Sequence, residues 1–137
     1  SRADAGALLV GRVSGHEPEG AASRLDLGGV SLVTPRLDAP PGAEVRAYVL
    51  ASEVMIATEA PRGLSVRNVL PATVIRLADR ADGTVLIELA CAGQRLLAAV
   101  SRGAVAELGL RDGLAVFALV KSVAIDAPAG GRMTLEP

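Results

Sequence analysis

The sequence predicts an all-β protein made of two tandem, small, five-stranded barrels, with one short helix in the second. Three observations carry that expectation. Most of the chain either alternates apolar and polar residues with period two or forms short Val/Leu runs bounded by Gly, Asp and Pro. Aromatic side chains are nearly absent, Tyr48 and Phe117 being the two present, so the core has to be aliphatic. The second half also partly repeats the first. Gly42, Val45, Ala47 and Val49 match Gly113, Val116, Ala118 and Val120 at one constant spacing, and Leu25-Asp26-Leu27 before Gly28-Gly29 resembles Ile87-Glu88-Leu89 before Ala92-Gly93.

In chain order, the expected strands are Ala7 to Val13, Ser23 to Leu27, Val30 to Thr34 and Glu44 to Ala57, then Ala72 to Ala78, Thr84 to Leu89, Arg95 to Val100 and Leu114 to Ile125. Gly28-Gly29 and Ala81-Asp82-Gly83 supply the residues that tolerate the positive φ of tight hairpin turns. Ser101 to Leu108 is the helical candidate. Ser101 stands at its N-cap, Ala104, Val105 and Leu108 share one face, and Gly109 ends it. Glu59-Ala60-Pro61-Arg62-Gly63 has linker chemistry and divides the chain into a first barrel, residues 1–62, and a second, residues 63–137. Barrels this small are near the lower limit for folding alone, so packing against each other or against a second copy is expected.

Half of the residues are apolar and 21% are charged, which fits a compact fold and excludes disorder. With 14 basic against 15 acidic side chains the chain lacks the charge of a nucleic-acid or anionic-membrane binder, and two aromatics make no base-stacking platform. A single cysteine, Cys91, allows no intramolecular disulfide. One histidine, His16, leaves no Cys/His zinc cluster. The longest apolar runs, such as Leu114 to Val120, reach about a third of the ~20 residues of a membrane span, so a soluble chain is expected. Ser1-Arg2-Ala3-Asp4 has neither an initiator Met nor a signal-peptide pattern and reads as the start of a cut or processed chain. Gly130-Gly131-Arg132 reads as a mobile tail.

Chemistry is concentrated in two places. After the linker, Gly63-Leu64-Ser65-Val66-Arg67-Asn68-Val69-Leu70-Pro71 sets hydroxyl, guanidinium and amide donors close together, with Ser65 and Arg67 on one side of an extended segment. The competing reading is the polar start of a strand with an exposed arginine. Lys121, the sole lysine, interrupts an apolar strand and is followed by Ser122. A compact ammonium suits a small anion, while an edge-strand lysine that blocks aggregation is the alternative. Catalytic templates fail. Lys121-Ser122 lacks the glycines of a P-loop, Ala115 and Val120 standing in their places. His16 lies in a hairpin loop with no triad partners, Cys91 lies in a turn with nothing to activate a thiolate, and no carboxylate pair is apparent. The chain is therefore read as no enzyme.

These residues resemble the C-terminal regulatory region of the ATP-binding subunit of bacterial molybdate importers, built from two TOBE, or Mop-like, barrels. The resemblance covers nearly the whole chain. Its strongest element is Ser65-Val66-Arg67-Asn68-Val69-Leu70, which is similar to the Ser-x-Arg-Asn signature of molybdate-binding Mop domains. Ala118-Leu119-Val120-Lys121-Ser122-Val123-Ala124-Ile125 resembles that family's closing strand. Val100-Ser101 leading to Ala106-Glu107-Leu108-Gly109-Leu110 resembles its helix, and Ala51-Ser52-Glu53-Val54-Met55-Ile56-Ala57 a run typical of the importer subunit.

The resemblance implies OB-like barrels, a homodimer, and molybdate or tungstate as ligand, held by Ser65, Arg67 and Asn68 on one wall and Lys121, Ser122 and Ser101 on the other. It implies a cytoplasmic protein at the inner face of the membrane, whose partners are a nucleotide-binding domain and a membrane permease, and whose full-length form is a molybdate-transporting ATPase. The expected function is sensing of cytoplasmic oxyanion with feedback inhibition of transport. The alternatives are a ligand-free dimerisation module of the ATPase and a free molybdate-storage protein.

Overall fold

The computed structural model describes residues 5–126; the expected tail at Gly130 to Arg132 lies outside them. The first sheet contains β1 (Gly6–His16), β2 (Ala22–Asp26), β3 (Ser31–Pro35) and β4 (Glu44–Leu50). The second contains β6 (Asn68–Asp79), β7 (Thr84–Cys91), β8 (Gln94–Ser101) and β9 (Ala115–Val120). The remaining two strands are exchanged. β5 (Val54–Ala57) follows β4 in the chain but pairs with β9, and β10 (Ala124–Ile125) follows β9 but pairs with β4. The resulting orders are β10-β4-β1-β2-β3 and β5-β9-β6-β7-β8, with every pairing antiparallel. Each sheet curls until its edges approach one another, β10 toward β3 and β5 toward β8. The fold is thus all-β, with two curled five-stranded sheets and one helix, as the alternation predicts.

The exchange breaks two expected strands. Glu44 to Ala57 is interrupted by a 3-10 turn at Ala51–Glu53, and Leu114 to Ile125 is interrupted at Lys121 to Val123. Both interruptions are crossovers between sheets, and they touch: the Lys121 N–H donates to the Glu53 carbonyl at 2.9 Å. At the first crossover the apolar pattern continues because buried Ala51 packs with Ala7 and Leu97 between the two halves, while the second is marked by exposed Lys121 and Ser122. Periodicity alone therefore reads straight through a change of partner.

The internal repeat is visible in the hydrogen bonds. Gly42 N–H donates to Val13 O and Gly113 N–H to Val74 O, both at 2.7 Å, while Val13 and Val74 return bonds to Ala43 O and Leu114 O at 2.9 Å. Gly42 and Gly113 have φ of 92° and 86°, a region open to glycine and costly for a Cβ. Beside these loops, β1 and β6 each carry an irregularity in register, between Val13 and Gly15 and between Val74 and Arg76. Leu25 lies opposite Val13 and Leu89 opposite Val74. By strand pairing, Leu25 therefore corresponds to Leu89, two residues beyond Ile87, the match read from sequence. The shift of two preserves the face, so Leu25, Ile87 and Leu89 are all fully buried.

The core is aliphatic and continuous. Leu9, Leu25, Leu32, Val45 and Val49 of the first sheet join Leu70, Val74, Ile87, Leu89 and Leu96 of the second in one cluster, each fully buried side chain contributing about 1.5–3 kcal/mol. A side-chain amide adds a polar fastening. Val10 N–H donates to Gln94 Oε1 and Gln94 Nε2 donates to Val10 O, both at 2.8 Å. Gln94 thereby occupies backbone groups of β1 that β4 leaves free. The helix α1 (Arg102–Leu108) forms where expected. Ser101 Oγ accepts from Ala104 N–H at 3.1 Å, and Gly109 closes it in the left-handed conformation. Its expected inner face is only partly covered: Ala104 and Val105 are half-buried and Leu108 is exposed.

Candidate functional site

A cleft of about 460 Å³ lies where three segments meet: the approach to β6, the second crossover, and edge strand β3. Ser65, Val66, Arg67 and Asn68 form one side, Val120, Lys121, Ser122 and Val123 another, and Val33, Thr34 and Pro35 the third. Five of the six residues expected to bind oxyanion, Ser65, Arg67, Asn68, Lys121 and Ser122, are thus brought together. Ser101 is not among the lining residues; its hydroxyl caps α1. Lys121 reaches the cleft because the chain crosses between sheets there, so it lies in a crossover and not within an edge strand.

The donors differ in what already occupies them. Asn68 is buried, and its side chain behaves as an extra residue of a β ladder: Nδ2 donates to Val33 O at 2.8 Å and Oδ1 accepts from Val33 N–H at 2.7 Å. Val33 lies on β3, the edge of the first sheet, so Asn68 closes an otherwise open edge and fixes β3 beside the cleft. Ser65, Lys121 and Ser122 are exposed. Lys121 makes no ion pair among the described residues.

Arg67 is held by a carboxylate that the sequence reading missed. Its Nη1 and Nη2 donate to Glu17 Oε1 and Oε2 at 3.1 and 2.7 Å, a fork-to-fork pair, and Arg24 Nη2 approaches the same Oε2 at 3.1 Å. The Arg67 hydrogen bond, followed by the positive charges of Arg67 and Arg24, holds the Glu17 carboxyl below the ordinary glutamate range, and burial opposes it. The same pairing raises Arg67. Glu17 and Arg67 lie far apart in sequence, and a lone glutamate in a hairpin gives no periodic signal.

Neighbouring His16 is the last residue of β1, not a loop residue, and it is half-buried. Ala39 O can only accept, so Nε2 carries the proton toward it at 2.9 Å, and Nδ1 accepts from Ser23 Oγ at 2.7 Å. Ser23 Oγ in turn accepts from Leu37 N–H at 2.9 Å. Cys91 is the last residue of β7, not a turn residue; it is buried, and desolvation pushes its thiol up, away from a reactive thiolate.

A second cleft, about 490 Å³, is lined by Thr58, Thr73, Phe117 and small apolar residues and has no ionisable lining group. Charge therefore distinguishes the two: the first is lined by the cations Arg67 and Lys121 and by the hydroxyl residues Thr34, Ser65 and Ser122. Among the described residues no group of His, Cys, Asp and Glu could hold a metal ion, and no helix is long and apolar enough to cross a membrane.

Comparison with known proteins agrees with this architecture. Residues 64–127 match the TOBE domain family. The chain is 37% identical over 125 residues to the molybdenum import ATP-binding protein ModC of Rhizobium meliloti (strain 1021), covering 91% of this chain and 35% of the relative. It is 38% identical over 130 residues to ModC of Granulibacter bethesdensis, covering 90% and 35%, and 39% identical over 122 residues to ModC of Aromatoleum aromaticum, covering 89% and 32%. It spans about a third of the length of these curated relatives. Among solved structures it is similar to the cytoplasmic molybdate-binding protein ModG with molybdate bound, at a TM-score of 0.74 and 29% identity, covering 87% of this chain and 94% of that one. The second half of the chain thus matches the TOBE domain, and most of its length is similar to part of the ModC proteins and to ModG.

Proposed function

We propose that this chain is an oxyanion-binding regulatory module that takes molybdate or tungstate in the cleft between Ser65–Asn68 and Lys121–Ser122. The observation that carries the reading is the convergence of Ser65, Arg67, Lys121 and Ser122, from segments far apart in sequence, on one cleft. A tetrahedral dianion needs several convergent donors, and each charge-assisted hydrogen bond contributes about 1.5–3 kcal/mol. In this proposal Arg67 and Lys121 supply charge, Ser65 and Ser122 supply hydroxyls, and Asn68 holds the frame. Support comes from the relatives' role in molybdenum import and from the neighbour's bound molybdate.

The wider setting follows from the relatives and is part of the same proposal. The module belongs to a longer, cytoplasmic, homodimeric protein whose nucleotide-binding domain works with a membrane permease. Oxyanion bound to the module restrains transport, giving end-product feedback. Such a device needs the anion to bind the resting arrangement better than the transporting one, typically by about 1–3 kcal/mol. Nucleotide hydrolysis is assigned to the rest of that protein.

Isothermal titration of the chain with molybdate, with sulfate as control, tests the reading. Saturable and selective binding is expected, with Arg67→Ala and Lys121→Ala each weakening it about 10- to 100-fold. A flat titration on a folded dimer overturns the proposal in favour of a purely structural dimerisation module, and unchanged affinity in Lys121→Ala removes the second wall.

A further inference from the structure

We propose that Glu17 is a built-in competitor for the oxyanion, a latch that occupies the Arg67 guanidinium and moves onto Arg24 when an anion binds. The inference rests on the oxyanion reading of the cleft and adds a residue outside its lining that sets affinity.

The argument begins with geometry. The Nη1–Nη2 edge of Arg67, one of the two forks by which a guanidinium can grip an oxyanion, already grips two oxygens of Glu17, at 3.1 and 2.7 Å. A planar guanidinium presents this fork once along that edge, so carboxylate and oxyanion exclude each other there. Glu17 is held in place for this task. Its N–H donates to Ala22 O and its carbonyl accepts from Gly20 N–H, both at 2.9 Å. The preceding His16 is tied to Ser23 and Ala39. The carboxylate is also more sheltered than its partner, with side-chain exposures of 17% for Glu17 and 53% for Arg67.

Release is cheap because a second seat is already in contact. Arg24 Nη2 lies 3.1 Å from Glu17 Oε2, so a carboxylate that leaves Arg67 keeps a cation and is not stranded. Arg24 and Arg67 are the two charged groups that bond Glu17 among the described residues. Two effects then set the apparent affinity. The closed latch reduces the fraction of chains with a free Arg67, and a closed Glu17 places negative charge beside an incoming dianion. An exposed pair of this kind closes only modestly, so the competitor weakens the apparent affinity without abolishing it.

The test compares molybdate titrations of the full 137-residue chain and its Glu17→Gln and Glu17→Ala variants, with thermal unfolding confirming that each is folded. Both variants are expected to bind molybdate about 3- to 10-fold more tightly than the parent. The Glu17 side-chain carboxyl carbon resonance of the parent is expected to move in step with saturation. If the folded variants bind with unchanged or weaker affinity, or if that resonance is unmoved at saturation, the latch is wrong while the oxyanion site stands. If neither parent nor variants take up molybdate, site and latch fall together.

Discussion

Replacing Asn68 by Ala tests whether the signature amide is a structural fastening. The side chain makes two hydrogen bonds to Val33, at 2.7 and 2.8 Å, from a position 7% exposed. Each such bond contributes about 0.5–1.5 kcal/mol net, and its loss leaves the half-buried Val33 N–H and C=O to find water. The sum is about 2–3 kcal/mol. For a chain of this size that lowers Tm by about 6–15 °C. Urea and thermal unfolding followed by far-ultraviolet circular dichroism measure it, with Ser65→Ala, an exposed neighbour, expected within about 0.5 kcal/mol of the parent. Asn68→Asp sharpens the test: an ionised carboxylate still accepts from Val33 N–H but faces Val33 O with no proton to give. Relative to the parent, which shares the losses from Glu17 and Glu88, that variant should gain stability as the pH falls and its carboxyl protonates. An Asn68→Ala chain that unfolds within about 0.5 kcal/mol of the parent would refute the fastening.

Two further outcomes are expected. Ala92 has φ of 53° in the β7–β8 turn, where an L side chain costs about 1–2 kcal/mol, so Ala92→Gly should stabilise by about 0.5–1 kcal/mol after the added entropy of the unfolded chain; a lower urea midpoint would count against it. Glu17 and Glu88 are both held below the ordinary glutamate range, Glu88 chiefly by its hydrogen bond to Arg76 and then by the charges of Arg95 and Arg76. The folded chain then binds fewer protons than the unfolded one, so stability present near neutral pH is lost as the pH falls through these depressed values. Urea midpoints measured between about pH 7 and pH 3 should fall, and less steeply in Glu88→Gln.

Much of the fold was legible because strand alternation and turn glycines act locally. β2 and β3 fall within a residue of their expected bounds, and the Ser101 cap and Gly109 end of α1 lie where read. What escaped was pairing. Nothing in Glu44 to Ala57 announces that Val54–Ala57 leaves the strand before it for β9, because both sheets present the same aliphatic surface. The site was half legible for a related reason. Ser65, Arg67, Lys121 and Ser122 could be named from their donors, and the cleft gathers them. An amide bonds a backbone as readily as a ligand, so Asn68 gave no hint of Val33. Glu17 is ordinary by composition and gains meaning only from the hairpin that carries it to Arg67.

The exchanged strands bear on how such a chain assembles. A chain with only one repeat would lack the strand that completes its sheet and would have to take it from a second molecule, making closure a concentration-dependent, bimolecular event. Joining two repeats turns that into an intramolecular search at an effective concentration in the millimolar range, set by the short connection between Ala57 and Asn68. Neither sheet is complete until the other has been built, so the two halves should melt and refold as a single cooperative unit. Closing β10 onto β4 requires bringing Ala124 to Tyr48 late in the chain, and such distant pairing slows folding. A ribosome-bound chain would therefore hold its first sheet unfinished until nearly all of this region had emerged.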